Sequence, residues 1–319
     1  MAIVEVRPRR SSCPECRAVF RRQLAFCPID GARLHVLPSD PLVGQVVADR
    51  YRVDSVAGDT RTNRIYRAHD SVSDRAVALR MMLGEHASVP IRCLSFAREA
   101  RVASLFDHEN VLGVTDSGYT DTGLPFLVTE LIEARTLEAR IREEAPFSPS
   151  RITDLGIQIC AGLTHIHSRD VVHRCVSAGN ILVTVDRDQE TIKITGFRSA
   201  IRLDRGDDHH FIEPPGKVVG SAPYMSPEQA VGDPLDTRTD LFSLGVLLYQ
   251  MLCGEFPFDG TKLAHAIHNR WDDPPRIAER VPGFEANPGI EEIARILMAK
   301  SPNKRYPDAA SVARALRTV

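Results

Sequence analysis

Apolar and polar residues alternate along two stretches early in the chain, Tyr51–Val56 and Arg64–Ala68. Side chains of a strand point alternately to its two faces, so this alternation predicts a pair of strands. A mostly apolar run, Leu124–Thr129, predicts a buried strand. Helical spacing of apolar residues predicts helices over Ile91–Phe106 and Ser150–Arg169. Strand signals therefore dominate the first part of the chain, and helix signals dominate the second part.

Composition narrows the class of protein without changing this pattern. The chain has 319 residues, of which 43% are hydrophobic and 26% charged, and its formal net charge is −2. This near-neutral balance gives no support for a nucleic-acid partner. The longest apolar segment, Leu241–Leu252, is too short to span a bilayer, and Ile3–Val6 is too short for a signal-peptide core. The seven cysteines do not resemble a disulfide framework, which favours a reducing, cytoplasmic location.

A cysteine cluster near the N-terminus has the spacing of a metal site. Cys13 and Cys16 form one Cys-Pro-x-Cys turn, and Cys27 and Asp30 form a second turn of the type Cys-Pro-x-Asp. Zinc prefers thiolates in a tetrahedral array, and a carboxylate oxygen can take the fourth position. The sequence therefore predicts zinc bound by Cys13, Cys16, Cys27 and Asp30. The alternative is that Asp30-Gly31 is only a hairpin turn and the three thiols hold no metal.

A motif in the middle of the chain carries the clearest chemistry. His173, Arg174 and Asn180 stand at the spacing of His-Arg-Asp-x-Lys-x-x-x-Asn, so the stretch resembles the catalytic loop of protein kinases. The Asp of that motif is replaced by Cys175, and the Lys is replaced by Ser177. In the kinase family the Asp acts on the proton of the substrate hydroxyl. At position 175 the sequence alone permits either a reactive thiol or a buried, inert one.

Further motifs follow in the order that the resemblance implies. Gly196-Phe197-Arg198 stands in the register of Asp-Phe-Gly, so the residue that would bind metal is a glycine. The stretch Gly220–Glu228 is similar to the end of a kinase activation segment, and Asp240–Gly245 is similar to the start of the helix that follows. Arg305 matches the arginine that pairs with the glutamate of that segment, here Glu228. His173 and Phe197 are expected to pack together, as they do in the family.

The resemblance implies an α+β, two-lobed protein-kinase fold, with a small β-rich lobe that includes helix C and a larger helical lobe. The cysteine cluster at 11–35 resembles a short zinc-ribbon-like leader, and 36–50 is predicted to be a linker. The kinase-like domain is expected over 51–319. Its small lobe covers 51–132, and its large lobe covers 133–319.

Positions that would bind nucleotide are only partly retained. Gly58 is the single glycine left in the loop that would cover the phosphates, where Thr60 and Asn63 replace the others. Arg80 replaces the strand lysine and keeps its charge, so a pair with Glu99 of helix C is still possible. The alternative is that Glu99 is an unpaired surface charge on an amphipathic helix. Ile65, Ala78 and Leu182 are apolar positions that would contact an adenine, and the alternative is that they are simply core residues. The resemblance places nucleotide contacts at Gly58, Ile65, Ala78, Arg80, Glu99, Thr129, Glu130, Ile132 and Leu182.

Residues that support the architecture are kept, whereas those that perform the chemistry are replaced. No catalytic set is intact: Cys175, Ser177 and Gly196 are degenerate, and Asn180 is retained. The sequence therefore predicts a pseudokinase that acts as a binding, scaffolding or regulatory module in signalling, and it gives little support for ATP and magnesium as cofactors. The alternatives are an active or weakly active serine/threonine kinase, which transfers the γ-phosphate of ATP to protein, and a metal-independent nucleotide sensor. By family analogy the partner is a protein, either an active kinase or its substrate.

Overall fold

The computed structural model describes residues 11–12, 14–15, 19–20, 25–33, 35–36, 40–60, 62–203, 220–259 and 272–319. The chain divides into two compact units. Of the described residues, the strand unit comprises those up to Pro90 and Thr115–Glu133, and the helical unit comprises those in Ile91–Val114 and Ala134–Val319. Residues 91–103, expected as helix C of the small lobe, therefore group with the helical unit.

The strand unit is built on a six-stranded antiparallel sheet with the order β4-β5-β6-β7-β9-β8. Alternation of buried and exposed side chains along its longest strand, with Tyr51 and Val53 inside and Arg52 outside, is the pattern from which strands were predicted here. A short helix, α1, follows the third long strand. The bounds are β4 Val46–Val47, β5 Tyr51–Asp59, β6 Asn63–Asp70, β7 Arg75–Met82, α1 Gly84–Ala87, β8 Asp116–Tyr119 and β9 Pro125–Glu130.

Part of the predicted linker belongs to this unit. From Asp40 onward the chain packs on the sheet: Leu42 and Val43 lie against its apolar core. The Asp40 carboxylate accepts hydrogen bonds from Arg64 and Tyr66 of β6. These contacts extend the fold of the unit upstream of β5.

The predicted leader contains a small sheet of its own. Strand β1 (Ser11–Ser12) lies between β2 (Val19–Phe20) and β3 (His35–Val36) and pairs antiparallel with both. An isolated bridge joins Phe26 to Arg33 across the turn that precedes β3. Strands of two residues bury little apolar surface, so this sheet adds little stability by itself.

The helical unit is organised around α6, whose side chains are buried at almost every position from Thr239 to Leu252. A helix that is apolar on all sides is typical of the centre of a large core. Side-chain caps fix several helix starts; Ser148, for example, accepts from the Arg151 amide at 3.4 Å. The bounds are α2 Pro90–Ala103, α3 Leu137–Glu144, α4 Pro149–His167, α5 Pro227–Val231, α6 Arg238–Cys253, α7 Ile277–Arg280, α8 Pro288–Leu297 and α9 Ala309–Leu316.

Two small sheets in the helical unit hold the loop that carries the motif. Strand β10 (Arg135–Thr136) pairs with β12 (Ile181–Asp186), which pairs with β13 (Gln189–Ile194). Strand β11 (Val171–Val172) pairs with β14 (Ile201–Arg202). The segment between β11 and β12 is thus fixed at both ends. Among the described residues, no helix combines the length and hydropathy that a membrane crossing requires.

Candidate active site

The loop between β11 and β12 is fixed by one buried carboxylate, Asp240, in the first turn of α6. Its Oδ2 accepts from the His173 amide at 2.8 Å, and its Oδ1 accepts from the Arg174 amide at 2.8 Å. His167 Nε2 donates to the same carboxylate at 2.9 Å. A negative charge in the first turn of a helix is also favoured by the helix dipole. The position of the loop therefore depends on α6.

His173 is completely buried, and its hydrogen bonds define one neutral tautomer. Nδ1 accepts from the Cys175 amide at 3.2 Å, so the proton is on Nε2, which donates to the Thr195 carbonyl at 3.0 Å. Burial lowers the pKa of His173, which keeps the ring neutral. The ring lies 4.9 Å from the ring of Phe197, and Phe197 lies 4.8 Å from Phe106. The predicted packing of His173 on Phe197 is confirmed.

Cys175 occupies the position of the catalytic carboxylate, and its surroundings keep the thiol protonated. The side chain is half-buried, and burial raises its pKa, although the Ser221 amide and the Asn180 side chain act in the opposite direction. Asn180 Nδ2 lies 3.3 Å from Cys175 Sγ. A neutral thiol cannot take over the role of a charged carboxylate as proton acceptor at neutral pH. Of the two alternatives for Cys175, a reactive thiol and a buried, inert one, the geometry agrees with the inert thiol.

Gly196 adopts a left-handed backbone conformation with φ 87° and ψ 41°. A Cβ at this position would lie 2.6 Å from both Cγ and Oδ1 of Asn180. The position that would supply a metal-binding carboxylate therefore has no side chain and no free space for one in this arrangement. Ser177, at the position of the loop lysine, is buried and accepts from the Asn180 amide through its carbonyl at 2.9 Å.

The end of the activation-segment motif is fixed by the predicted Glu228–Arg305 pair, which is confirmed. Two parallel hydrogen bonds join the side chains, Nη1 to Oε1 at 2.7 Å and Nη2 to Oε2 at 2.8 Å. Thr239 Oγ1 donates to Oε1 at 3.0 Å. Burial favours the neutral acid, but the bonds from Arg305 outweigh it, and the pKa of Glu228 is lowered. The arginine side chain is 0% exposed.

Most of the predicted nucleotide contacts lie on adjacent strands of the strand unit. Gly58 is opposite Ile65, Ile65 is opposite Arg80, and Ala78 is opposite Thr129. Glu130 is exposed at the end of β9, and Ile132 is half-buried just beyond it. Two other predicted contacts, Glu99 on α2 and Leu182 on β12, are buried in the helical unit. The nucleotide contacts and the Arg80–Glu99 pair remain predictions.

Of the predicted zinc ligands, Cys13 and Cys16 lie outside the described residues. Cys27 is buried at the start of a tight turn, in which the Ile29 amide donates to its sulfur at 3.4 Å and the Gly31 amide to its carbonyl at 2.9 Å. Asp30 is exposed, and its Oδ1 accepts from the Ala32 amide at 2.9 Å. This turn orders the second half of the predicted site.

Sequence analysis missed two residues that support the loop. Gln229 Nε2 donates to the Arg174 carbonyl at 2.9 Å, and His167 binds the Asp240 carboxylate. Each partner lies far away in sequence, at separations of 55 and 73 residues. The position of Gln229 directly after Glu228 was the only local signal for it. His167 lies on α4 among residues that were noted only for apolar spacing.

Comparisons with known proteins agree with this geometry. The family model described as protein kinase domain matches residues 51–315. The serine/threonine-protein kinase pkn3 of Myxococcus xanthus is 30% identical over 88% of this chain and 52% of its own length. A probable serine/threonine-protein kinase of Clostridium acetobutylicum is 32% identical over 84% of the chain and 39% of its own length.

A third relative, the serine/threonine-protein kinase PknB of Mycobacterium tuberculosis, is 30% identical over 83% of the chain and 42% of its own length. The chain thus spans about half, or less, of the length of these relatives. The matched residues include both sheets and helices that position the loop described above. The chain belongs to the protein kinase family.

Proposed function

We propose that this member of the kinase family acts as a pseudokinase, a binding or regulatory module that does not transfer phosphate by the usual metal-dependent route. The observation that supports this most is the chemistry of positions 175 and 196. Cys175 presents a thiol whose pKa is raised by burial, and Gly196 presents no side chain. Phosphoryl transfer relies on positioning and electrostatic stabilisation, to which both positions would contribute in an active kinase.

Magnesium, which the family uses, does not fit the side chains at this loop. The ion requires oxygen ligands in a near-octahedral arrangement. Asn180 Oδ1 is the one family ligand kept, and a Cβ on Gly196 would lie 2.6 Å from it. Across the described ranges, no group of three His, Cys, Asp or Glu side chains is placed to hold a metal ion.

The retained architecture supports a role in binding. The loop is still held by Asp240, and the end of the segment is still held by Glu228 and Arg305. These contacts preserve the positions of the loop and of the segment end without supplying the chemistry of a kinase. A protein partner, such as an active kinase or its substrate, is the natural candidate for such a module, and a cytoplasmic location is part of the same proposal.

An active serine/threonine kinase is the second candidate, and the relatives favour it. The three described above are named as serine/threonine kinases, at 30–32% identity over most of this chain. Arg80 also keeps a positive charge at the lysine position. A metal-independent nucleotide sensor is a third candidate, which is compatible with the pseudokinase proposal.

Phosphotransfer and nucleotide binding separate these candidates. We expect no magnesium-dependent incorporation of radiolabelled phosphate into the chain or into generic protein substrates, for the wild type or for Cys175→Asp. The Cys175→Asp variant restores the base but leaves position 196 without a metal ligand. A base and a metal ligand promote phosphoryl transfer only when both are present. Thermal shift with ATP, with and without Mg²⁺, measures nucleotide binding in parallel.

The control is a set that restores the family residues together: Arg80→Lys, Cys175→Asp, Ser177→Lys, Gly196→Asp and Arg198→Gly. Weak activity in this set beside an inactive wild type supports the proposal. Robust turnover by the wild type, or by Cys175→Asp alone, would establish the kinase candidate instead. A thermal shift with ATP alone, without turnover, would support the sensor.

We also propose that the leader binds one zinc ion through Cys13, Cys16, Cys27 and Asp30. The spacing of the cysteines and the ordered turn from Cys27 to Ala32 support it. We expect one equivalent of zinc by elemental analysis in protein prepared without chelator. Cys27→Ser should lose the metal, whereas Cys253→Ser, at the end of α6, should keep it. Metal-free wild-type protein would contradict the proposal.

A further inference from the structure

Segment 104–110, which follows α2, is attached to α4 through Arg169. This residue lies just after the end of α4, and its Nε donates to the Leu105 carbonyl at 2.8 Å. Its Nη1 donates to the His165 carbonyl at 3.1 Å. Because 64 residues separate Arg169 from Leu105, the guanidinium ties the end of α2 to the end of α4.

A second attachment, at Asn110 and Leu112, joins the same region to β13. Asn110 Nδ2 donates to the Ile192 carbonyl at 3.2 Å, and the Asn110 carbonyl accepts from the Ile194 amide at 2.9 Å. The Leu112 amide donates to the Ile194 carbonyl at 2.9 Å. None of these three bonds involves a group that titrates near neutral pH, so they supply an internal reference for the contact at Arg169.

The ring of His165, in the last turn of α4, lies beside that contact. Its centroid is 4.8 Å from the ring of His108 and 6.1 Å from the ring of Phe106. Arg169 Nη1 lies 3.2 Å from Nδ1 of His165. A guanidinium can only donate hydrogen bonds, so Nδ1 accepts this bond and carries no proton. The ring is therefore the neutral tautomer with its proton on Nε2.

The surroundings of His165 oppose a second proton. Burial and the positive charges of Arg169 and His108 lower the pKa of His165, whereas Asp107 acts in the opposite direction. Asp107 is exposed, so solvent weakens its effect. Nε2 of His165 is buried and has no hydrogen-bond partner in the part of the chain that the structure describes. A second proton, on Nδ1, would break the bond from Arg169 and place two positive charges side by side.

We propose that His165 and Arg169 form a pH-sensitive latch, in which neutral His165 holds Arg169 on the Leu105 carbonyl and protonation of His165 releases segment 104–110 from α4. This regulation goes beyond the proposed function and does not depend on it. The latch is complete above the ordinary pKa of histidine, about 6.5, and is lost as pH falls through the lower pKa of the folded protein. Acidification therefore loosens the end of α2 and leaves the attachment at Asn110 in place.

Amide hydrogen exchange of the full chain, followed by NMR at about pH 7.5 and about pH 5, tests the latch. Protection factors, which remove the intrinsic effect of pH on exchange, are compared for the amides of Leu105 and Phe106. These amides donate to carbonyls in the last turn of α2. We expect their protection factors to fall several-fold at the lower pH in the wild type, whereas that of Leu112 should change little.

His165→Asn is the variant that removes the site of protonation. An asparagine oxygen can still accept a hydrogen bond, but the side chain does not titrate. We expect the protection factors of Leu105 and Phe106 to lose their dependence on pH in this variant. His69→Asn is the matched control, because His69 lies on β6 beside the exposed Asp74, and it should keep the pH dependence of the wild type.

The titration of the His165 ring, followed by NMR, tests the contact with Arg169 directly. Arg169→Gln removes the charge beside Nδ1, so the pKa of His165 should rise toward its ordinary value. This pKa would not move if Arg169 only supported the fold. The titration also decides the question if the chain unfolds before about pH 5, since a rise in the pKa is visible above that pH.

Equal protection of Leu105 and Phe106 at both pH values in the wild type, or the same fall in His165→Asn, would overturn the proposal. An unchanged titration of His165 in Arg169→Gln would overturn it as well. None of these measurements depends on phosphotransfer, so failure of the latch and failure of the pseudokinase function are distinguishable.

Discussion

Replacement of Arg305 by alanine is expected to lower the free energy of unfolding by about 3–5 kcal/mol, because it leaves the Glu228 carboxylate buried without its partner. The guanidinium also donates to the carbonyls of Ala299, Lys300 and Arg238, at 2.8, 3.1 and 2.9 Å. One substitution therefore removes the contacts that join α5, α6 and the segment after α8. Chemical denaturation followed by circular dichroism measures the loss.

Arg142→Ala is the control for this prediction. Arg142 is exposed and lies 3.8 Å from Glu143, and surface pairs of this kind contribute about 0–1 kcal/mol. A loss for Arg305→Ala no larger than for Arg142→Ala would mean that the Glu228–Arg305 pair does not support the fold.

The pH dependence gives a second measurement on the same pair. The pKa of Glu228 is lowered in the folded protein. The ionised side chain therefore makes its full contribution to stability above the ordinary pKa of glutamate, about 4.3, and this contribution is lost as pH falls through the lower pKa of the folded protein. The stability difference between the wild type and Glu228→Gln should therefore be constant near neutral pH and shrink on acidification. A difference that grows on acidification would contradict the assigned direction of the pKa shift.

Asp240→Asn is expected to destabilise the chain by about 3 kcal/mol or more. The side-chain NH₂ of the new asparagine would face a backbone N–H group that now donates to the carboxylate, and one buried donor would lose its acceptor. The two carboxylate oxygens accept hydrogen bonds from the backbone amides of His173 and Arg174. An asparagine side chain has only one oxygen, so it can accept at only one of the two positions. Charge-assisted bonds of this kind are worth more than neutral ones. We expect faster hydrogen exchange at the amides of residues 173 and 174, measured by mass spectrometry or NMR.

Asp236→Asn is the matched control, since Asp236 lies just before the same helix, is only half-buried and pairs with Arg238, and an asparagine oxygen can still accept from the Arg238 amide. It should change stability by less than about 1 kcal/mol. Unchanged exchange at residues 173 and 174 in Asp240→Asn would show that the loop is held by other contacts.

The regular elements were predictable from sequence because their signals are local. Apolar spacing predicted a helix over Ser150–Arg169, and α4 covers Pro149–His167. Alternation predicted strands over Tyr51–Val56 and Arg64–Ala68, which are contained in β5 and β6. Periodicity follows from burial of one face, so it is visible before the partner of that face is known.

The contacts between distant residues were predictable only where a family motif supplied them. Glu228 and Arg305 were paired in advance on that ground alone, since 77 residues separate them. No motif indicated that Asp40 would bind Arg64, or that Asn180 would fill the space beside Gly196. Both depend on side-chain volume and on backbone conformation, such as the positive φ of Gly196, which residue patterns do not encode.

The hydrogen bonds of Asp40 to β6 also limit the distance between the leader and the large sheet. Val36 at the end of β3 is separated from Asp40 by a chain that can reach at most about 14 Å even when fully extended. The small sheet of the leader is therefore on a short covalent tether to the large sheet of the strand unit. A tether of this length corresponds to an effective concentration on the order of millimolar or above. Even a weak attraction between the two sheets would then favour their association within one chain over association between chains.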